Sequence, residues 1–194
     1  MTAPRAGSRG GSAAPGSHHA AGAWRTRVLV AATVVVSGLL AGGAGDRALV
    51  ATAAWRHLGP AAWAAYSRQA DLGNGLVVYP LVGIGGAALA VAATVSYRFD
   101  RSTPRSAASP IYLAALCELG VMATTIKAAP IMLGIADIDD PSALARAFDQ
   151  FSLWGLTVRG TLALLGFLAG TWALFALGHG DGATRDARRL GMAR

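Results

Sequence analysis

Four long apolar stretches divide the chain, at residues 28–44, 77–97, 111–135 and 153–177, and charge collects between them. A helix needs about 20 mostly apolar residues to cross a hydrocarbon core about 30 Å thick. The pattern therefore predicts an all-α integral membrane protein, an antiparallel bundle of four transmembrane helices, the first starting near residue 26. Two of these helices outrun the membrane. Past Asp46 and Arg47 an Ala-rich pattern continues to Leu58, where Gly59 and Pro60 stop it and open a new short helix. A helix over 26–58 would be about 50 Å long at 1.5 Å per residue. Asp140 and Pro141 read as N-cap and first residue of another helix, before the fourth span begins. Residues 45–76 and 136–152 are thus expected to form an extracytoplasmic helical cap on a transmembrane domain of residues 24–178.

The ends and the short loop read differently. Residues 1–23 are rich in Ala, Gly, Ser and Pro without apolar periodicity, as in a disordered tail; His18 and His19 lie there as solvated residues. Residues 98–109 are basic and hold Pro104, which suits a tight hairpin, and 179–194 form a basic tail. Seven aromatic residues, Trp55, Trp63, Tyr66, Tyr79, Phe148, Phe151 and Trp154, fall in or beside the cap. They read as an interfacial belt, with ligand stacking as the other use.

Composition supports the membrane reading. Of 194 residues 54% are hydrophobic and 14% charged, against about 25% charged in an average soluble domain. The net charge of +7 would suit a nucleic-acid partner in another chain. Here 11 of the 17 cations (Arg5, Arg9, Arg25, Arg27, Arg98, Arg101, Arg105, Arg185, Arg188, Arg189, Arg194) fall on one face of the predicted bundle, and four (Arg47, Arg56, Arg68, Arg146) on the other. The excess of Lys and Arg on cytoplasmic segments then places both termini in the cytoplasm of a multi-pass cell-membrane protein. Its expected partner is the lipid bilayer and no nucleic acid. The first span also has the outline of a cleavable signal peptide, with Arg25 and Arg27, an apolar run and small residues 41–45; the consistency of the four-span count favours retention.

Candidate chemistry is sparse. The single Cys117 excludes a disulfide framework or a multi-thiolate metal site. His57 and His179 fall on opposite sides of the bilayer, so no metal site is expected, and no phosphate-binding, nucleotide-binding or nucleophile-elbow motif implies a cofactor. Three ionisable residues do lie inside spans: Glu118, Lys127 and Arg159. Such residues are expensive there and mark functional sites by default. Nine helical residues at about 100° each put Glu118 and Lys127 on opposite sides of one helix, so they cannot pair. Lys127 and Arg159 fall at similar depth, which predicts that they reach loop carboxylates or face an anionic ligand. Thr125 shares the face of Glu118, Pro130 with Gly134 reads as a kink or a helix end, and Trp154 lies close by in sequence to Arg159. Lys127, Arg159, Glu118, Thr125, Pro130 and Trp154 make up the expected polar pocket. Recurrent small residues, Gly38 with Gly42, Gly83 with Gly85 and Gly86, and Gly166 with Gly170, permit close helix approach.

The long first helix leading into Trp55, Pro60 and Trp63, the Lys-x-x-Pro end of helix three (Lys127, Pro130), and an acidic loop followed by Phe151, Trp154 and Arg159 resemble the small four-helix integral membrane family that includes the anthrone oxygenases. The likeness extends in layout over residues 26–178. It implies binding of an apolar phenolic or quinone-like molecule and, for an enzyme, cofactor-free oxidation of a phenolic anthrone to a quinone. Lys127 and Arg159 would then stabilise a phenolate. The alternative is a non-catalytic assembly subunit that holds a partner membrane protein. A transporter is disfavoured, because the sequence shows neither an internal repeat nor paired broken helices.

Overall fold

The structure is a computed structural model that describes the backbone of residues 16–189 and the side chains of residues 22–179. Among the described residues it is entirely helical. Helix α1 (Gly16–Asp46) passes through a π-helical turn (Arg47–Ala51) into α2 (Thr52–Leu58), and α3 (Pro60–Gln69) leads through a second π turn (Ala70–Asn74), kinked at Gly73, into α4 (Gly75–Phe99). After a short connection come α5 (Ala108–Gly134), α6 (Pro141–Phe151), a third π turn (Ser152–Val158) and α7 (Arg159–Arg189).

Four continuous segments, Gly22–Leu58, Pro60–Phe99, Arg105–Asp137 and Pro141–His179, are long and apolar enough to cross a membrane. The protein is thus a multi-pass membrane protein with the antiparallel four-helix bundle expected from its hydropathy. Helices α1 and α5 each pack against both α4 and α7, so the four form a ring with α1 diagonal to α5. Two boundaries differ from expectation. Helix α1 begins at Gly16, inside the stretch read as a disordered tail, and α7 continues to Arg189, inside the stretch read as the second tail. Residues 1–15 and 190–194, and the side chains of His18 and His19, lie outside the described residues.

What faces inward is sorted by size. Helix α4 buries Gly83, Gly86, Ala87, Ala90 and Ala93 and exposes Leu81, Ile84, Val91 and Val95. Helix α5 buries Ala114, Ala115, Val121 and Ala128 and exposes Leu113, Leu116, Leu119 and Ile126. In lipid there is little hydrophobic force between helices, so small residues that let backbones approach win the inside.

At one end of the bundle α2, α3 and α6 form a cap. Gly59, at φ +94°, takes the left-handed conformation that an L side chain resists, and so lets α3 start afresh from Pro60. The core of the cap is Trp63, fully buried, packed with Trp55, Leu144, Phe148, Phe151 and Leu156. Asp140 caps α6 by accepting from the amides of Ser142 and Ala143, and Pro141 follows it. Arg68 of α3 donates to the carbonyls of Ile135 (3.0 Å) and Ile138 (2.6 Å), tying the cap to the end of α5. Helix α5 runs unbroken through Pro130 to Gly134, so the proline does not end it.

The opposite, hairpin end is held by polar contacts. Thr26 meets Ser96 (2.9 Å) and donates to Asp100 (3.4 Å), while Arg27 donates to the carbonyl of Leu177 (2.9 Å). Burial pushes the Asp100 carboxyl up, but hydrogen bonds from Ser102 and Thr26 outweigh it and hold the group below its ordinary value. A carboxylate depressed in the folded state stabilises fully above the unfolded value of about 3.9, and that contribution disappears as pH falls through the lower folded value. Acidification below pH of about 4 should therefore raise amide exchange in residues 100–107, and Asp100→Asn should already show that exchange at neutral pH.

Candidate functional site

The polar residues of the bundle lie in layers along its axis. At the centre is Glu118 of α5, 1% exposed. Its Oε1 accepts a hydrogen bond from Ser37 of α1, across the diagonal of the ring. Glycines on the other two helices make the space. A Cβ at Gly86 of α4 would lie 3.3 Å from Glu118 Oε2, and one at Gly166 of α7 would lie 3.5 Å from Oε1. Two of the recurrent glycines of the sequence, Gly86 and Gly166, thus flank a carboxyl. Because a Cβ at Gly86 would also lie 3.0 Å from Val36 Cγ1, Gly86→Leu should force α4 away from α1. An overpacking cost of about 1–3 kcal/mol is expected, seen as a lowered unfolding midpoint in detergent, with Gly85→Leu, where nothing lies within 4 Å, as the tolerated control.

One turn toward the hairpin end, Thr33, Ala90, Ala114 and Gly170 line a narrow void no larger than a water molecule. Each stands four residues, one helical turn, from a member of the Glu118 layer, so the void lies one turn below the carboxyl.

Toward the cap the next charged group is Arg159, the first residue of α7, half-buried. A Cβ at Gly83 of α4 would lie 3.8 Å from its Nη2, which places the guanidinium against α4 inside the bundle. It lies within electrostatic reach of Glu118, Tyr79 and Arg47. Among the described residues no hydrogen bond or ion pair is made by Arg159; the ion pairs join Arg47 to Asp71 and, at 3.9 Å and exposed, Arg68 to Asp139.

Arg47, Asp71 and Tyr79 form the layer at the base of the cap. The guanidinium of Arg47 donates to Asp71 Oδ1 and to the Tyr79 hydroxyl (2.6 Å), and Tyr79 donates to the same carboxylate oxygen (3.1 Å). The rings of Tyr66 and Tyr79 lie 5.8 Å and 5.2 Å from the Arg47 guanidinium carbon, within cation–π range. Asp71 is 3% exposed, and its Oδ2, like Glu118 Oε2, has no hydrogen-bond partner among the described residues.

The six residues of the expected pocket do not come together. Glu118 and Arg159 face the interior. Lys127 is exposed on the opposite side of α5, as nine residues of helix require, and Pro130 is exposed near it. Trp154 is 38% exposed, and Thr125 donates to the carbonyl of Val121 in its own helix (3.0 Å). The reach of Lys127 and Arg159 to loop carboxylates is not made: Arg47 takes Asp71 instead. Sequence reasoning missed Ser37, Arg47, Asp71 and Tyr79 as site residues. The signal for Arg47 was the Asp46-Arg47 pair interrupting an apolar helix; Ser37 carried none beyond its place among small residues.

Comparisons with protein-family models, with characterised proteins and with solved structures find no match to this chain.

Proposed function

We propose that the protein binds, within its membrane domain, an apolar phenol- or quinone-like molecule whose oxygen is held by Arg159. The observation that carries this reading is the cation itself: half-buried and turned inward, with no acid in ion-pairing distance among the described residues. An intramembrane charge without a partner is costly, and a ligand oxygen accepting from the guanidinium supplies the missing charge-assisted bond. The likeness in layout to the anthrone-oxygenase family supports the same ligand class, and on that reading the reaction is cofactor-free oxidation of a phenolic anthrone. Lys127, exposed on the far face of α5, takes no part in this site.

Purified, folded protein should bind members of a panel of anthrones and quinones, and Arg159→Gln should weaken that binding about 10- to 100-fold, the worth of a hydrogen bond to a charged group. Oxygen uptake with anthrones tests the enzyme version, and silence across the panel overturns it. The cation distribution supports a cell-membrane protein with both termini cytoplasmic and the cap outside; reporter fusions at Arg101 and Asp139 should then report opposite sides.

A second reading, an assembly subunit, is favoured by the cap end of α1. Gly42, Gly43 and Gly45 have nothing within 4 Å, and Leu49 and Val50 beyond them are exposed. Such a face admits close approach of another helix. Crosslinking at Gly43→Cys would capture that partner, and a monodisperse, partner-free protein counts against it.

A further inference from the structure

We propose that the hairpin end of the bundle carries a binding site for a phospholipid with a net negative headgroup, formed by α7 and the connection that precedes α5. The site is separate from Arg159 and from the ligand read there.

An open groove of about 530 Å³ lies between Pro104 and Ser106 of that connection and Trp172, Phe175, Ala176 and His179 of α7. Residues Arg105–Ala107 form a short 3₁₀ turn packed on α7. The Tyr97 hydroxyl donates to the carbonyl of Pro104 (3.3 Å) and ties this wall of the groove to α4.

The apolar and polar parts of the site are separated along the bundle axis. Toward the middle of the membrane, Leu165, Leu168, Trp172 and Phe175 recur at spacings of three and four residues and are all exposed. They form one stripe of α7, about 15 Å long, that leads into the groove. At the mouth stand Ser106, His179 and the exposed Arg105. The Nδ1 of His179 meets the carbonyl of Phe175 at 2.8 Å. A carbonyl only accepts, so Nδ1 holds a proton and Nε2 is the ring nitrogen left for a ligand. Among the described residues Arg105 makes no hydrogen bond or ion pair. Asp100, the acid of the hairpin, is engaged instead by Ser102 and Thr26.

An acyl chain fits the stripe, and a phosphate fits the mouth. A soluble anion would leave the stripe bare, and a neutral apolar molecule would leave Arg105 without a counter-charge. A zwitterionic lipid carries the same phosphate but brings a cation against Arg105, so the net negative headgroup is preferred. Trp172, about 10 Å along α7 from His179, then lies just below the headgroup, where indole rings collect.

The test uses the full chain in phosphatidylcholine vesicles, to which phosphatidylglycerol or phosphatidylcholine with brominated acyl chains is added in increasing amount. Bromine quenches an indole on contact. Trp172→Phe removes this one reporter, so the difference between wild type and variant reads the groove. Brominated phosphatidylglycerol should quench Trp172 at a mole fraction about 5- to 25-fold lower than brominated phosphatidylcholine, about fivefold for each basic residue at the mouth. Arg105→Gln should cut that preference about fivefold. Arg98→Gln removes the same charge at the same end, but from α4, diagonal to α7, and should leave the preference unchanged. Both arginines are exposed, and equal helical content checks that each variant is folded. Equal quenching by the two lipids overturns the proposal. A preference that Arg98→Gln lowers as much as Arg105→Gln also overturns it, since diffuse surface charge would then be the cause. Quenching by neither lipid would mean that protein, such as a second copy of the chain, covers the groove, and overturns it as well.

Discussion

Replacing Asp71 with alanine should destabilise the protein by about 3–5 kcal/mol, the cost of leaving one member of a buried ion pair without its partner. The Asp71 side chain is 2% exposed and that of Arg47 16%. Without the carboxylate, Arg47 keeps only the Tyr79 hydroxyl and the faces of two tyrosine rings. Cation–π contacts are worth about 0.5–2 kcal/mol, too little to offset a stranded guanidinium. The strain falls where two π turns meet the bundle, Arg47 opening the first and Asp71 lying in the second. Chemical unfolding in detergent should show the loss, and the double substitution Arg47→Met with Asp71→Leu should recover most of it. An Asp71→Ala protein as stable as the double variant would mean that the pair does no structural work.

Trp63→Ala should have an effect of similar size, about 3–5 kcal/mol. Trp63 is 0% exposed, and its ring lies 5.4 Å from that of Phe148 and 5.7 Å from that of Phe151. It is where α3 grips α6, so the damage should stay in the cap. Limited proteolysis should cut the variant within residues 136–152 while its four spanning helices remain, as judged by helical content. Equal protection of variant and wild type would show that the cap does not depend on this residue.

The bundle was legible because its signal is length and apolarity, and both are written along the chain. The Gly59-Pro60 break and the Asp140 cap were legible because backbone conformation there depends on one or two neighbours. Orientation about each helix axis was harder to read. In a soluble helix polar and apolar faces differ, but in lipid both are apolar, and only size tells them apart. The angle between Glu118 and Lys127 followed from helix geometry, but which of them faces inward did not; Gly86 and Gly166, which admit Glu118, lie on other helices. Asp71 was hidden for a different reason. A short acidic segment before a span reads as water-exposed loop, and its burial depends on Arg47, 24 residues earlier.

The π turns carry a further consequence. An α-helix advances about 100° with each residue, so two stretches joined in one continuous helix share a fixed phase. The cap and the bundle need different phases: α6 must aim Leu144, Phe148 and Phe151 at Trp63, and α7 must aim Ala163, Ala169 and Ala173 at the bundle axis. The wider turn at Ser152–Val158 lets one helix satisfy both. Deleting a single residue there would leave both helices able to form and yet dephase them by about 100°, setting the exposed Leu164 where Ala163 is now buried.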